Sequence, residues 1–136
     1  MKRTRIPALF LFVLVGCQLP PERVPLKPLP EDGPPQPYGD LVTRARAQAT
    51  AANEAFYVNN WPDLEDAARG LELTARVLDK ATDVPAKHKE ILPGEAGDLG
   101  KEAAKLREAA KGKDVRQATE TLQRIHLKVR ELRPEN

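Results

Sequence analysis

Apolar residues recur every three or four positions through most of the chain beyond position 38. This is the spacing of one face of an α-helix, and it appears in four stretches separated by proline, glycine or asparagine. The four stripes are Leu41, Ala45, Ala49, Ala52 and Phe56; Leu64, Ala67, Ala68, Leu71, Ala75 and Leu78; Ala96, Leu99, Ala103, Leu106 and Ala110; and Val115, Ala118, Leu122, Ile125, Val129 and Leu132. Because single helices of this length are marginal in water, the pattern predicts an all-α chain whose helices share one core.

Residues that start or stop helices lie at the ends of these stripes. Asp40 is suited to cap helix one, and Pro62 fits the first turn of helix two, where a missing backbone N–H costs nothing. Gly112 is expected to end helix three as a C-cap, and Asp114 is expected to cap helix four. Gly70 weakens helix two by about 1 kcal/mol relative to alanine, which suggests the close approach of a neighbouring helix.

Helix breakers crowd the segment between helices two and three, namely Pro85, Pro93, Gly94, Gly97 and Gly100. We therefore predict a long connection that contains one helical turn at residues 86–91. This connection is expected to be the least ordered part of the domain. Two short connections and this long one favour an up-down-up-down antiparallel four-helix bundle over residues 39–136. The alternative is a three-helix arrangement in which helices one and two form a long hairpin and residues 85–100 are loose.

The start of the chain has the pattern of an export signal. A basic beginning is followed by an apolar run over residues 6–15 and then by Gly16 and Cys17. This pattern resembles the signal of bacterial lipoproteins, in which residues 1–16 are removed and the cysteine thiol carries a diacylglycerol. The alternative, a transmembrane anchor with an incidental cysteine, needs about 20 apolar residues, more than this run supplies. Gln18 resembles the sorting signal of lipoproteins that reach the outer membrane and face the periplasm.

Prolines dominate the stretch after Cys17. Eight of the twenty residues in 18–37 are proline, which removes backbone donors and favours the polyproline conformation. Residues 17–38 are therefore predicted to be an anchor and semi-rigid spacer that can span on the order of 60 Å. A recognition peptide of the PxxP kind, at residues 25–28, is the alternative.

Charge and cysteine content exclude several functions. The net charge of +2 includes Lys2, Arg3 and Arg5, so without residues 1–16 the chain has 19 basic and 20 acidic side chains, a charge of −1. The basic character belongs to the signal, and we expect no nucleic-acid partner. A single cysteine, taken up by lipid, leaves no disulfide and no thiolate metal site.

The sequence holds no glycine-rich phosphate loop, nucleophile elbow or HExxH motif, and we predict that the protein is not an enzyme. Carboxylate pairs such as Glu65 with Asp66, and the i,i+4 pair Glu120 with Arg124, are expected on solvated helix faces.

The two histidines differ in their surroundings. His88 stands between two lysines in the proline-bounded connection and is predicted to be a solvated loop residue, since no second imidazole or carboxylate stands at ligand spacing. His126 lies beside Leu122 and Val129 at the edge of the inward face of helix four. It is predicted to be partly buried and hydrogen-bonded there.

The segment from Leu122 to Arg130 resembles the haem-attachment segment of the cytochrome c-prime family, in which CxxCH on the last helix is followed four residues later by arginine. His126 and Arg130 match that motif, whereas Leu122 and Ile125 stand where the cysteines would be. Residues 61–68 and 113–115 resemble exported helical-bundle relatives of the same family. The resemblance implies a four-helix bundle over residues 40–133. The departure from it at Leu122 and Ile125 implies that neither thioether bond to haem can form.

These observations together predict a lipid-anchored periplasmic helical bundle with a structural or interaction role and no cofactor. Its predicted partner is the membrane, reached through the lipid on Cys17; the sequence names no protein partner. The alternative is a cytochrome c-prime-like protein for electron transfer or gas sensing, in which His126 is the axial ligand of a non-covalent haem.

Overall fold

A computed structural model describes residues 26–134, and within this range the chain is helical. The helices are α1 (Tyr38–Tyr57), α2 (Trp61–Leu78), α3 (Ala86–Lys89), α4 (Leu92–Gly112) and α5 (Val115–Glu131). The all-α prediction is confirmed for this part of the chain. The predicted signal at 1–16 and the predicted lipidation site Cys17 lie outside the described residues. None of the helices within 26–134 has the length and hydropathy needed to cross a bilayer.

The four long helices surround one apolar core. Helix α1 contacts α2 and α5, and helix α4 contacts the same two helices. The predicted stripes supply most of the core, including Leu64, Leu71 and Leu99, each with an exposed fraction of 0%. The prediction is wrong at the start of the last stripe, because Val115 is 56% exposed in the first turn of α5.

Helix α4 begins earlier than the glycines and proline suggest. Only the turn at Ala86–Lys89 of the predicted connection is present, and Pro93, Gly94 and Gly97 are all helical. Proline is tolerated in a first helical turn because its N–H would be unpaired there in any case. The buried Leu92, together with Ala96 and Leu99, gives this turn an apolar face that outweighs the low helix propensity of glycine.

Of the four residues predicted at helix ends, Asp114 and Pro62 have the predicted positions, and Asp40 and Gly112 do not. The carboxylate of Asp114 accepts a hydrogen bond from Gln117 N at 2.9 Å at the start of α5, as predicted. Asp40 is not a cap, because α1 starts at Tyr38 and places Asp40 in its first turn. At the end of α4 the left-handed residue is Lys113, with φ of 51°, and Gly112 remains helical. Pro62 occupies the first turn of α2, as predicted.

Gly70 does mark a close approach. A methyl group at its Cβ position would lie 2.9 Å from Nε2 of Gln48 on α1. The Gln48 side chain is buried and accepts a hydrogen bond from the Thr74 hydroxyl at 2.8 Å through Oε1. The missing side chain of Gly70 therefore leaves room for a buried polar contact between α1 and α2.

The C-terminal part of the proline-rich segment packs on the helices. Thr82 N donates to the carbonyl of Gln36 at 2.9 Å, and Tyr38 N donates to the carbonyl of Thr82 at 2.8 Å. Leu29 is partly buried against the core, and Glu31 forms an ion pair with Arg76 on α2 at 2.8 Å. Residues 29–37 are thus not a free spacer. Tyr38, which we assigned to the linker, is 1% exposed and belongs to the core.

Candidate functional site

His126 lies in an open groove between α1 and α5. The groove has a volume of about 640 Å³, and its floor includes the buried residues Ala49 of α1 and Val129 of α5. The prediction that His126 is partly buried is wrong, because its side chain is exposed at the rim. The rotation between residues 125 and 126 turns the imidazole away from the core that Ile125 enters.

Arginines give this groove its charge. Arg46 approaches from α1, Arg130 from α5 and Arg133 from the residues that follow α5, and all three are exposed. The polar groups of Thr50 and Gln123 complete the lining, and no carboxylate of residues 26–134 belongs to it. We call this the α1/α5 groove. Guanidinium, imidazole, amide and hydroxyl groups are donors, so the groove is suited to an anion with several acceptor oxygens.

Sequence reasoning found His126 and Arg130 but missed Arg46 and Arg133. The sequence did contain a feature that distinguishes these arginines, namely the lack of an acidic residue at helical spacing. None of the three groove arginines has Asp or Glu three or four positions away in the sequence. Arg69 and Arg76 do, and both form ion pairs within their own helix.

The positions that would be cysteines in a c-type haem site are filled by core residues. Leu122 is 3% exposed and Ile125 is 0% exposed. Both side chains complete the apolar face of α5, as the sequence indicated. The residues present do not fit covalent haem: they offer no sulfur, and His126 is directed to the groove and not to the space that Leu122 and Ile125 occupy.

His88 is buried and not solvated as predicted. It is 4% exposed, and its ring stacks on Tyr38 with 5.5 Å between ring centroids. Its Nε2 lies 3.3 Å from the carbonyl oxygen of Arg133, and since a carbonyl only accepts, Nε2 donates the hydrogen bond. The lysines on either side point outward while the short helix α3 turns His88 inward, which sequence neighbours alone did not reveal.

Tyr38, which is buried, and Glu95, which is partly buried, complete the cluster around His88. The Tyr38 hydroxyl donates to the carbonyl of Leu132 at 2.5 Å. Burial, with a contribution from the charge of Glu95, raises the pKa of Tyr38 to about 12. Oε2 of Glu95 lies 3.9 Å from Nδ1 of His88, and both atoms are buried without a hydrogen-bond partner. The cluster connects α1, α3 and α4 with the end of α5.

A second polar cluster joins α4 and α5. Glu102 is 7% exposed and accepts hydrogen bonds at 2.8 Å from both Lys105 Nζ and Arg124 Nε. Burial raises the pKa of the Glu102 carboxyl, but the hydrogen bonds from Lys105 and Arg124 outweigh it and the pKa is lowered. The predicted pairing of Arg124 with Glu120 is not formed, because Glu120 pairs with Arg116 at 3.2 Å.

Residues 26–134 contain no group of three or more side chains arranged to hold a metal ion. A comparison of the chain with known protein families, curated proteins and solved structures finds no match. The lining residues of the α1/α5 groove are therefore the basis for a proposed function.

Proposed function

We propose that this protein is an exported, lipid-anchored helical bundle that faces the periplasm from the outer membrane and acts by binding and not by catalysis. The observation that carries the anchor is the sequence that ends in Leu14–Cys17, with a small residue before the only cysteine. The observation that supports a binding role is the α1/α5 groove, whose arginines are exposed.

We further propose that α1, α2, α4 and α5 run up-down-up-down, with α3 inside the longest connection. Residues 58–60 join α1 to α2 and residues 113–114 join α4 to α5, and such short loops favour antiparallel neighbours. The hydrogen bond from Tyr38 to Leu132 supports the same arrangement, because it places the start of α1 beside the end of α5. The bridge between Pro37 and Thr82 likewise places the start of α1 beside the chain that follows α2.

The anchor is tested by expressing the full chain and a Cys17→Ser variant in a Gram-negative host with labelled palmitate. We expect label on the wild-type chain, recovery in the outer-membrane fraction, and an unprocessed precursor without label for Cys17→Ser. Normal processing of Cys17→Ser, with unchanged membrane recovery, would contradict the anchor.

The sorting proposal has its own variant. Gln18→Asp is expected to move the protein to the inner-membrane fraction while leaving the palmitate label in place, and Gln18→Ser is the matched control expected to stay in the outer membrane. An outer-membrane location of Gln18→Asp would contradict the role given to Gln18.

A further inference from the structure

The α1/α5 groove concentrates positive charge on a protein whose net charge is close to zero. Without the signal, basic and acidic side chains nearly cancel, at 19 against 20. Several other exposed arginines and lysines form ion pairs, for example Arg69 with Glu65 and Arg116 with Glu120. Arg46, Arg130 and Arg133 form no ion pair with any residue in 26–134.

The groove has the shape and donors for phosphate groups. A guanidinium binds a phosphate through two parallel N–H donors, and three such groups line one open concavity together with the imidazole of His126. Leu127, which is 53% exposed, also lines the groove and offers an apolar contact beside the charges. This combination of basic rim and exposed leucine fits the boundary between lipid head groups and acyl chains.

The length of chain between Cys17 and Lys27 is sufficient for the groove to reach a bilayer that holds a lipid on Cys17. The Arg44 guanidinium donates to the carbonyl of Lys27, so Lys27 lies beside α1. Arg44 and Arg46 are about 200° apart around the helix, which puts Lys27 and the groove on opposite sides of α1. Nine residues lie between Cys17 and Lys27, which gives ten Cα–Cα steps. Ten steps reach at most about 35 Å, and a helix with its side chains is about 10–12 Å across, so this length of chain is enough for the groove to face the bilayer.

We propose that the α1/α5 groove binds the phosphate head groups of anionic lipids in the bilayer that holds the anchor. The inference rests on the proposed lipid anchor, which keeps the bilayer at high effective concentration around the groove. Arg46, Arg130 and Arg133 supply the charge, and Leu127 meets the lipid interface. The bundle then lies with its α1/α5 side on the membrane and leaves the α2/α4 side toward the periplasm.

The test uses residues 17–136 with Cys17→Ser, which removes the lipid and keeps every described residue. Sedimentation with vesicles of phosphatidylcholine alone is compared with vesicles that also contain phosphatidylglycerol. We expect binding only to the anionic vesicles. Because each arginine near an anionic surface contributes about 1 kcal/mol, Arg46→Gln/Arg130→Gln/Arg133→Gln is expected to lower the partition coefficient on the order of 100-fold.

The matched control removes the same charge elsewhere. Arg69→Gln/Lys101→Gln/Arg116→Gln takes away three exposed basic groups that are paired within their own helices, and it is expected to keep most of the binding. Circular dichroism of both triple variants establishes that they are folded. Salt at about 1 M, where the Debye length is about 3 Å, is expected to release the wild-type chain.

Three results would overturn the proposal: equal binding to neutral and anionic vesicles, equal losses in the two triple variants, or binding of inorganic phosphate without binding of anionic vesicles. The last result would make the groove a site for a free anion. The two proposals fail separately. The vesicle experiment uses a chain without lipid, so it tests only the groove. The palmitate experiment tests only the lipid anchor on Cys17.

Discussion

Tyr38 joins several parts of the chain with one side chain. It is the first residue of α1, its ring stacks on His88, and its hydroxyl reaches the carbonyl of Leu132. A buried phenol that donates to a carbonyl must stay protonated to keep this contact, and burial raises the pKa of Tyr38 to about 12. The folded chain therefore holds this proton more tightly than the unfolded chain, in which a tyrosine has a pKa of about 10.

This proton makes stability fall in alkali. The contribution of Tyr38 to the free energy of unfolding is complete below about pH 10 and is lost as the pH rises toward about 12. Tyr38→Phe is expected to cost about 1 kcal/mol at pH 7, since the Leu132 carbonyl loses its donor, and to reduce the further loss between about pH 10 and pH 12. Urea unfolding at pH 7 and at about pH 12 measures the free energy of unfolding of each protein. Tyr57→Phe, at a residue that is 75% exposed, is the control, and equal alkaline losses in all three proteins would contradict the role of Tyr38.

The histidines show why single residues were harder to predict than helices. His88 is flanked by lysines and looked solvated, yet it is buried against Tyr38. His126 is flanked by apolar residues and looked partly buried, yet it is exposed in the α1/α5 groove. The direction of a side chain at a helix edge, or in a single helical turn, is set by what packs on it, and those partners are distant in sequence.

At the scale of helices, two glycines show how helix propensity and the packing of neighbouring helices have separate effects on stability. Gly70 on α2 and Gly97 on α4 are both helical, and alanine has the higher helix propensity at each by about 1 kcal/mol. The space around them differs. A Cβ at Gly97 meets nothing within 4 Å, whereas a Cβ at Gly70 meets Nε2 of Gln48 at 2.9 Å.

Gly97→Ala is therefore expected to raise the free energy of unfolding by about 1 kcal/mol. Gly70→Ala is expected to give no gain or a loss, because the buried Gln48 must move and weaken its hydrogen bond with Thr74. Chemical denaturation of the two variants side by side is the measurement. An equal gain in both would show that Gln48 moves away freely.

The helical periodicity predicted most core positions of the four long helices, including the whole stripe of α4, because those residues both define a helix face and fill the core. The start of α4 was predicted wrongly because Pro93 and Gly94 carry strong local signals against a helix. Local propensity amounts to about 1 kcal/mol for each glycine, while each buried leucine contributes roughly 1.5–3 kcal/mol. The core decided where α4 begins.

For the whole molecule, the segment before α1 is part of the folded unit. Leu29 packs on the core and Gln36 bonds with Thr82, so a chain beginning at Tyr38 loses these contacts. Removing residues 26–37 is expected to cost about 1–2 kcal/mol, mostly from Leu29 and one backbone hydrogen bond. For a domain of about this size that lowers Tm by about 5–10 °C.

Thermal unfolding followed by circular dichroism checks this expectation on three chains, beginning at Gln18, Leu26 and Tyr38. The chains beginning at Gln18 and Leu26 are expected to melt together, since both keep every described contact. A chain beginning at Tyr38 that melts with them would mean that residues 26–37 are only a spacer.

The sequence by itself determined the helical class, most of the core and the start of α5 at Asp114, because periodicity and capping are local properties written within a few residues. It also supplied the prediction of the anchor at Cys17, which rests on local spacing alone. Only the tertiary structure decided that His88 is buried, that residues 29–37 pack on the helices, and that Arg46 of α1 meets Arg130 and Arg133 in one groove. Such contacts join residues tens of positions apart, and they are selected by which surfaces leave water together when the helices pack.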